Sequence, residues 1–178
     1  MEMSVGTIVT IVLLMTVLIL GLVLVRGIFF SAETSIDEID KAVKGEINKL
    51  FSEDSSKKIV VYPSTRKIDI QKGSNDLGFG FSIRNVGTES AKISYTITAK
   101  QVADSCPMTL SDAEDLITLG RKGDATIEAG NILDQPIFVR FAIPESAPPC
   151  QIRYSIEMEK GSQAYGSSVD VDLEILSK

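Results

Sequence analysis

An uninterrupted apolar stretch near the N-terminus, Val5 to Val25, constrains the fold of this chain more than any other feature. It contains no charged residue and no proline. A helix of this length rises about 1.5 Å per residue and spans roughly 31 Å, which matches the hydrocarbon thickness of a bilayer. Backbone groups in lipid must be satisfied internally, so the stretch is expected to be helical. We therefore predict a transmembrane helix within residues 1–31.

The fate and orientation of this helix depend on its flanks. A cleaved signal peptide is not expected, because the stretch lacks a basic start and Ile28-Phe29-Phe30 is a poor cleavage site. Arg26 alone would place the following residues in the cytoplasm by the positive-inside rule. The cysteine content of the chain favours the opposite side, and we give it more weight because one arginine is a small bias. A basic leader upstream of Met1 would remove the conflict.

The chain has two cysteines, Cys106 and Cys150. Prolines flank both of them, at Pro107 and at Pro148-Pro149, so both are expected in loops. The pair favours one disulfide and an oxidising, extracytoplasmic location. Two buried free thiols are the alternative.

A second, amphipathic helix is predicted within residues 32–56. Its apolar residues recur at spacings of three and four and form one stripe: Ile36, Ile39, Val43, Ile47 and Leu50. Ser35 and Glu38 fit a capping box that would begin a new helix, and one continuous helix from Ser4 to Phe51 is the alternative. The stripe is too narrow to be stable alone. It is covered by its own domain, by the membrane surface or by other copies, which makes it a candidate self-association stripe.

A polar linker, Ser52–Lys58, marks the boundary of the predicted sandwich domain, residues 57–178, which shows the period-two alternation of β-strands from Ile59 onward. The alternating runs are Ile59–Val61, Ile68–Ile70, Phe79–Ile83, Ile93–Ile97, Ile137–Ile143, Ile152–Met158 and Val169–Ile175. A short helix is expected from Ser111 to Leu116 and a short edge strand from Ala125 to Glu128. One apolar face per strand predicts two antiparallel sheets packed face to face. The predicted fold class is therefore mainly β with a long N-terminal α-helix: a transmembrane helix, an amphipathic helix and an immunoglobulin-like antiparallel β-sandwich.

Two segments, FGFSIRNVG at residues 79–87 and IPESAPPCQIRY at residues 143–154, resemble CARDB-like immunoglobulin-fold modules. The first is similar to the second strand and turn of those modules, and the second to their strand–loop–strand unit. Cys150 stands where those modules usually carry glycine, which implies a turn held by a crosslink. The resemblance covers most of residues 66–176. It implies the fold, while such modules serve as spacers, adhesive units and subunits of surface polymers.

The order of an apolar N-terminal helix and a sandwich head also resembles archaeal type IV pilins and archaellins. The basic leader ending in glycine that precedes their helix is not in this sequence, and only Glu2 matches the glutamate they often carry inside it. This resemblance implies a filament whose core is built from N-terminal helices.

The sequence indicates no catalytic, cofactor or metal site. It contains no histidine, the commonest general base and transition-metal ligand. Its net charge of −6 argues against a nucleic-acid partner, because nucleic-acid binding needs a basic face. We predict no enzyme activity, no small-molecule substrate and no nucleic-acid partner. The predicted partners are the lipid bilayer and further copies of the chain, held through the N-terminal helices.

Charged and glycine-rich groups in the β region have structural interpretations. The acids of residues 112–115 lack EF-hand spacing and are typical of a first helical turn. The alternating acids of residues 170–174 are expected to solvate an edge strand. Arg84, Arg140 and Arg153 are expected to face outward in cross-strand ion pairs. Gly78-Phe79-Gly80-Phe81 predicts a site where backbones approach closely.

Two functions follow as hypotheses. The first is a single-pass membrane protein that displays an extracytoplasmic sandwich for structural or adhesive contacts at the cell surface. The second is a pilin- or archaellin-like subunit of a surface filament.

Overall fold

The computed structural model describes the backbone of residues 5–177, and the side chains of these residues other than 5, 7, 8, 22–42 and 75–77. The chain divides into two compact units, Met1–Ala42 and Val43–Lys178. The second unit takes in the end of the first helix and the Ser52–Lys58 linker as well as the sandwich. The helices and strands run in the order α1 (Val5–Glu53), β1 (Ile59–Tyr62), β2 (Lys67–Gln71), β3 (Asn75–Ile83), β4 (Ala91–Val102), α2 (Leu110–Asp115), β5 (Ile117–Leu119), β6 (Lys122–Ile127), β7 (Ile137–Ala142), β8 (Gln151–Lys160), β9 (Gln163–Ala164) and β10 (Val169–Leu176).

In the first unit, the described side chains are those of Gly6 and residues 9–21 of α1. The large aliphatic side chains here are exposed, with Val9 at 52% and Leu14 at 70%. The hydroxyl of Thr10 donates to the carbonyl of Gly6 at 3.1 Å, and that of Thr16 to the carbonyl of Leu13 at 2.8 Å. Among the residues that the structure describes, no helix is both long enough and apolar enough to cross a membrane. The predicted span extends beyond these side chains at both ends and stays a prediction. The backbone of α1 is helical without interruption at Ser35, so the helix start predicted there is wrong, and the alternative of one continuous helix describes this backbone.

The second unit is mainly β, and within the described residues its strands form two sheets. The four-stranded sheet has the order β1-β3-β7-β5, and the six-stranded sheet has the order β2-β10-β8-β4-β6 with β9 beside β8. Alternate residues of both sheets face a shared core, as in the pattern of β4, where Ile93, Tyr95 and Ile97 are buried between exposed or half-buried neighbours. The β-sandwich predicted from the alternation is therefore present. Six of the seven alternating runs lie wholly in its strands, and the run Ile137–Ile143 ends one residue beyond β7.

Two pairs of aromatic rings connect the sheets across the core. Phe81 of β3 meets Tyr95 of β4 edge to face, with ring centroids 5.1 Å apart. Phe141 of β7 lies 5.2 Å from Tyr154 of β8. All four side chains are buried, and aromatic pairs of this kind add about 0.5–1.5 kcal/mol beyond their buried area.

The N-terminal strand of the sandwich changes sheets. β1 pairs antiparallel with β3, and after the cis Tyr62–Pro63 peptide the chain crosses to the other sheet, where β2 runs parallel to β10. The expectation of purely antiparallel sheets is wrong here, because alternation reports which face is buried and not strand direction.

The position of β10 corrects a second expectation. Asp170, Asp172 and Glu174 were expected to mark an edge strand, but β10 lies between β2 and β8. Asp172 has a specific partner: its two carboxylate oxygens accept from Nε and a terminal nitrogen of Arg153 at 2.7 and 3.1 Å. These bonds lower the pKa of Asp172. The ion pair predicted for Arg153 is thus confirmed.

Candidate interaction surfaces

A disulfide joins the loops at one end of the sandwich. Cys106 lies in the loop after β4 and Cys150 directly before β8, with Cα atoms 5.3 Å apart. Hydrogen bonds hold both cysteine backbones: the Cys106 amide donates to Ala103 at 2.8 Å, and the Cys150 carbonyl accepts from Ile175 at 2.9 Å. The predicted disulfide is confirmed, and it links the loop after β4 to the loop before β8.

The short helix α2 follows this crosslinked loop and is fixed at both ends. Thr109 caps it through a capping box with Asp112, whose carboxylate accepts from the amide and the hydroxyl of Thr109. These hydrogen bonds lower the pKa of Asp112. The hydroxyl of buried Tyr154 donates to the carbonyl of Ala113 at 2.6 Å, and burial raises the pKa of Tyr154. The helix begins close to the predicted position, with Thr109 as its cap.

An open groove of about 750 Å³ lies between α2 and the two crosslinked loops. Its apolar walls include Pro107, Met108, Leu116, Ala147 and Pro148. Two acidic residues, Asp112 and Asp115, also line it. We call this feature the acidic groove. Prolines and the disulfide fix its walls, so it is a preformed surface for contact.

The opposite end of the sandwich carries a tightly bonded turn between β3 and β4. The side-chain amide of buried Asn85 donates to the carbonyls of Glu89 and Ile127 at 2.8 and 2.9 Å, and its oxygen accepts from Gly87. The Tyr165 hydroxyl donates to the Arg84 carbonyl at 2.8 Å and accepts from the Val86 amide at 2.9 Å. This network holds Val86 outward, with 45% of its surface exposed. The turn predicted at residues 85–87 is therefore fixed by side chains that point inward.

The outer face of the four-stranded sheet is covered by the end of α1. Val43, Ile47 and Phe51 are buried there in one cluster with Val60 of β1. Half-buried Leu50, Ile132 and Phe138 pack against this cluster. The last turns of α1 thus form part of the head.

Arg84 holds the end of α1 from the same sheet. Its guanidinium donates to the carbonyl of Phe51 at 3.1 Å and to that of Ser55 at 2.8 Å, and it lies 4.7 Å from the centre of the Phe51 ring. The last carbonyls of a helix have no partner within it, and the cation supplies one. The cross-strand ion pair predicted for Arg84 is wrong, because its donors are occupied by backbone carbonyls in the last turn of α1 and in the turn that follows it.

The apolar stripe divides into two parts. Ile36 and Ile39 lie outside the described side chains. Val43 and Ile47 are 7% and 1% exposed on the head's own sheet, and Leu50 is half-buried beside them. These three positions are therefore covered within one chain, and self-association through the stripe remains a hypothesis for Ile36 and Ile39 alone.

The packing of α1 on this sheet is indicated in the sequence by runs of consecutive apolar residues in β1 and β7, which a search for strict alternation overlooks. Val60 sits between apolar Ile59 and Val61, and Phe138 between Ile137 and Val139. Runs of consecutive apolar residues mark strands that are buried on both faces. Such runs predict a second layer on this sheet.

Three further pairs of charged groups form ion pairs on the surface of the head. Glu114 pairs with Arg121, Lys92 with Asp124 at 3.2 Å, and Lys100 with Glu157 at 2.7 Å. Within the part of the chain that the structure describes, no group of three or more His, Cys, Asp or Glu side chains is placed to hold a metal ion.

No protein-family model matches this chain, and no curated protein is significantly similar to it. A solved family 123 glycoside hydrolase from Clostridium perfringens, studied for glycolipid glycan hydrolysis, is similar at 11% identity and a TM-score of 0.48, over 67% of this chain and 27% of its own. The class 5 fimbriae chaperone CfaA is similar at 12% identity and a TM-score of 0.35, over 66% of this chain and 54% of its own. This chain thus spans about a quarter and about half of those chains. At these scores neither similarity bears on function.

Proposed function

We propose that this chain is a non-enzymatic, single-pass membrane protein that displays an immunoglobulin-like β-sandwich outside the cytoplasm for structural or adhesive contacts. The observation that carries the proposal is the disulfide between Cys106 and Cys150. Structural disulfides persist in oxidising compartments and are rare in the cytosol.

The apolar N-terminal stretch supports the membrane part of the proposal. Its described aliphatic side chains, in residues 9–21, are exposed and have no packed layer over them. The hydroxyls of Thr10 and Thr16 donate to carbonyls of their own helix. In lipid a polar group needs such an internal partner, because water is absent.

Thiol trapping in intact cells tests the location of the head. Proteins are quenched in acid and treated with a maleimide that adds mass, with and without prior reduction. We expect Cys106 and Cys150 to react only after reduction, and the chain to sediment with membranes. Reaction of both thiols without reductant would overturn the proposal.

A reporter cysteine gives a readout that is independent of redox state. Thr88 is exposed in the turn after Val86. In intact cells a Thr88→Cys variant is expected to react with a membrane-impermeant maleimide. Labelling that requires cell lysis would place the head inside. The wild-type chain is the matched control, since its cysteines are paired.

The alternative is a filament subunit, and one observation favours it. The end of α1 is packed on the head through Val43, Ile47 and Phe51 and held by Arg84. A subunit whose helix lies in a filament core needs a head that moves with that helix. Immunogold electron microscopy of cell-surface preparations tests this alternative: labelled regular fibres support it, and label confined to the membrane contradicts it.

A further inference from the structure

The acidic groove lies at one end of the sandwich, and an exposed valine and an exposed lysine lie at the other. The groove forms where β4 and β7 end and β8 begins. Val86 follows the end of β3, and Lys160 is the last residue of β8. Because β8 has ten residues, its two ends are roughly 30 Å apart at the usual rise of a strand.

The groove offers negative charge within apolar walls. Asp115 has no side-chain hydrogen bond or ion pair with any described residue. The lowered pKa of Asp112 keeps its carboxylate charged. A ligand that fills this groove needs an apolar group for the walls and a cation for the carboxylates.

The opposite end of the sandwich carries an exposed apolar side chain, Val86, beside the cation of Lys160. Val86 is held outward by Tyr165, and a Cβ built on the adjacent Gly87 would lie 3.6 Å from the ammonium of Lys160. Like Asp115, Lys160 has no ion-pair partner among the described residues. The ammonium of Lys58 lies 4.8 Å from the centre of the Tyr165 ring and adds positive charge to this end. We call this feature the Val86–Lys160 patch.

We propose that the acidic groove receives the Val86–Lys160 patch of a second copy of this chain, so that heads associate end to end. The two surfaces differ, so the contact is heterologous and continues from copy to copy instead of closing as a symmetric dimer. The proposal deepens the proposed function by naming the partner, and it rests on that function for heads that are free at the cell surface.

Site-directed crosslinking of the full chain in detergent micelles tests the contact. Ser146 lines the groove and Thr88 adjoins the patch, and both are exposed. A mixture of Ser146→Cys and Thr88→Cys chains, under mild oxidation, is expected to give a disulfide-linked dimer that neither variant gives alone. No dimer in the mixture, or equal dimer from either variant alone, would overturn the proposal.

A charge exchange tests the chemistry of the contact. Asp115→Lys in the Ser146→Cys chain, or Lys160→Glu in the Thr88→Cys chain, is expected to lower the dimer yield several-fold. Combining both reversed charges is expected to restore it. Asp69→Lys and Lys122→Glu are matched controls on exposed positions of β2 and β6. The proposal would be overturned if neither single charge reversal changed the dimer yield, or if combining the two reversed charges did not restore it.

The outcome separates this proposal from the proposed function. Circular dichroism melting confirms that each variant is folded before crosslinking. A chain that thiol trapping places outside the cytoplasm but that forms no mixed dimer retains the proposed function and loses this contact. Crosslinking in micelles does not depend on the location of the head in cells.

Discussion

The hydrogen atom that serves as the side chain of Gly78 allows β3 and β7 to pair. A Cβ built at this position would overlap the backbone carbonyl of Val139. The register of the two strands also shifts nearby, between Asn75 and Leu77. The contact is with backbone, so a neighbouring side chain cannot relieve it by changing rotamer. The close approach predicted for the Gly78–Phe81 segment is thus confirmed at its first glycine.

Gly78→Ala is expected to destabilise the head by at least about 1–3 kcal/mol, the usual cost of overpacking. Gly45→Ala is the matched control, because a Cβ at that helical position meets nothing within 4 Å. Alanine favours a helix over glycine by about 1 kcal/mol, so the control should gain stability. Urea unfolding measures both variants, and equal stabilities would contradict the argument.

Arg84 acts on the stability of the head through backbone carbonyls in the last turn of α1 and in the turn that follows it. Arg84→Met keeps an unbranched side chain near Phe51 but leaves the carbonyls of Phe51 and Ser55 without this donor. Bonds to a charged donor contribute about 1.5–3 kcal/mol, and a loss in this range is expected by urea unfolding.

The control for Arg84 is Arg153→Met. Arg153 makes a two-bond ion pair with Asp172, but its side chain is 45% exposed. Exposed pairs contribute about 0–1 kcal/mol, so this change should be the milder one. If Arg153→Met lowered the free energy of unfolding as much as Arg84→Met, the hydrogen bonds from Arg84 to the carbonyls of Phe51 and Ser55 would have no special role in stability.

At the scale of helices and strands, the end of α1 and the four-stranded sheet stabilise each other. Ile47 is 1% exposed at the centre of their contact, and Lys44 is exposed on the same turns. Ile47→Ala is expected to cost about 2–5 kcal/mol by leaving a cavity, and Lys44→Ala should be nearly neutral. Urea unfolding of the full chain compares the two, and a mild Ile47→Ala would show that the helix is not docked in solution.

Most strands of the head could be predicted from the sequence, because a strand that is buried on one face alternates apolar and polar residues. The parallel pairing of β2 with β10 could not be predicted, because the alternation of apolar and polar residues is the same for parallel and antiparallel strands. The docking of α1 could be predicted only in part. The spacing of Val43, Ile47 and Leu50 indicated a helix face that needs burial, but it did not indicate which surface covers that face. The acidic groove could not be predicted, because its walls come from residues 107–116 and 142–148, which are joined only by the fold and the disulfide.

At the scale of the whole molecule, the proposed anchoring rests on the apolar stretch. Leu14 and Leu18 lie in its middle and are 70% and 68% exposed. An arginine at the centre of a spanning helix costs about 2.5–3.5 kcal/mol for insertion, so Leu14→Arg with Leu18→Arg should move the chain out of the membrane fraction. Leu14→Ile with Leu18→Ile keeps the hydropathy and is expected to leave the distribution unchanged. Alkaline extraction of membranes followed by immunoblotting measures it, and a double-arginine chain that resists extraction would mean that residues 5–25 do not anchor this protein.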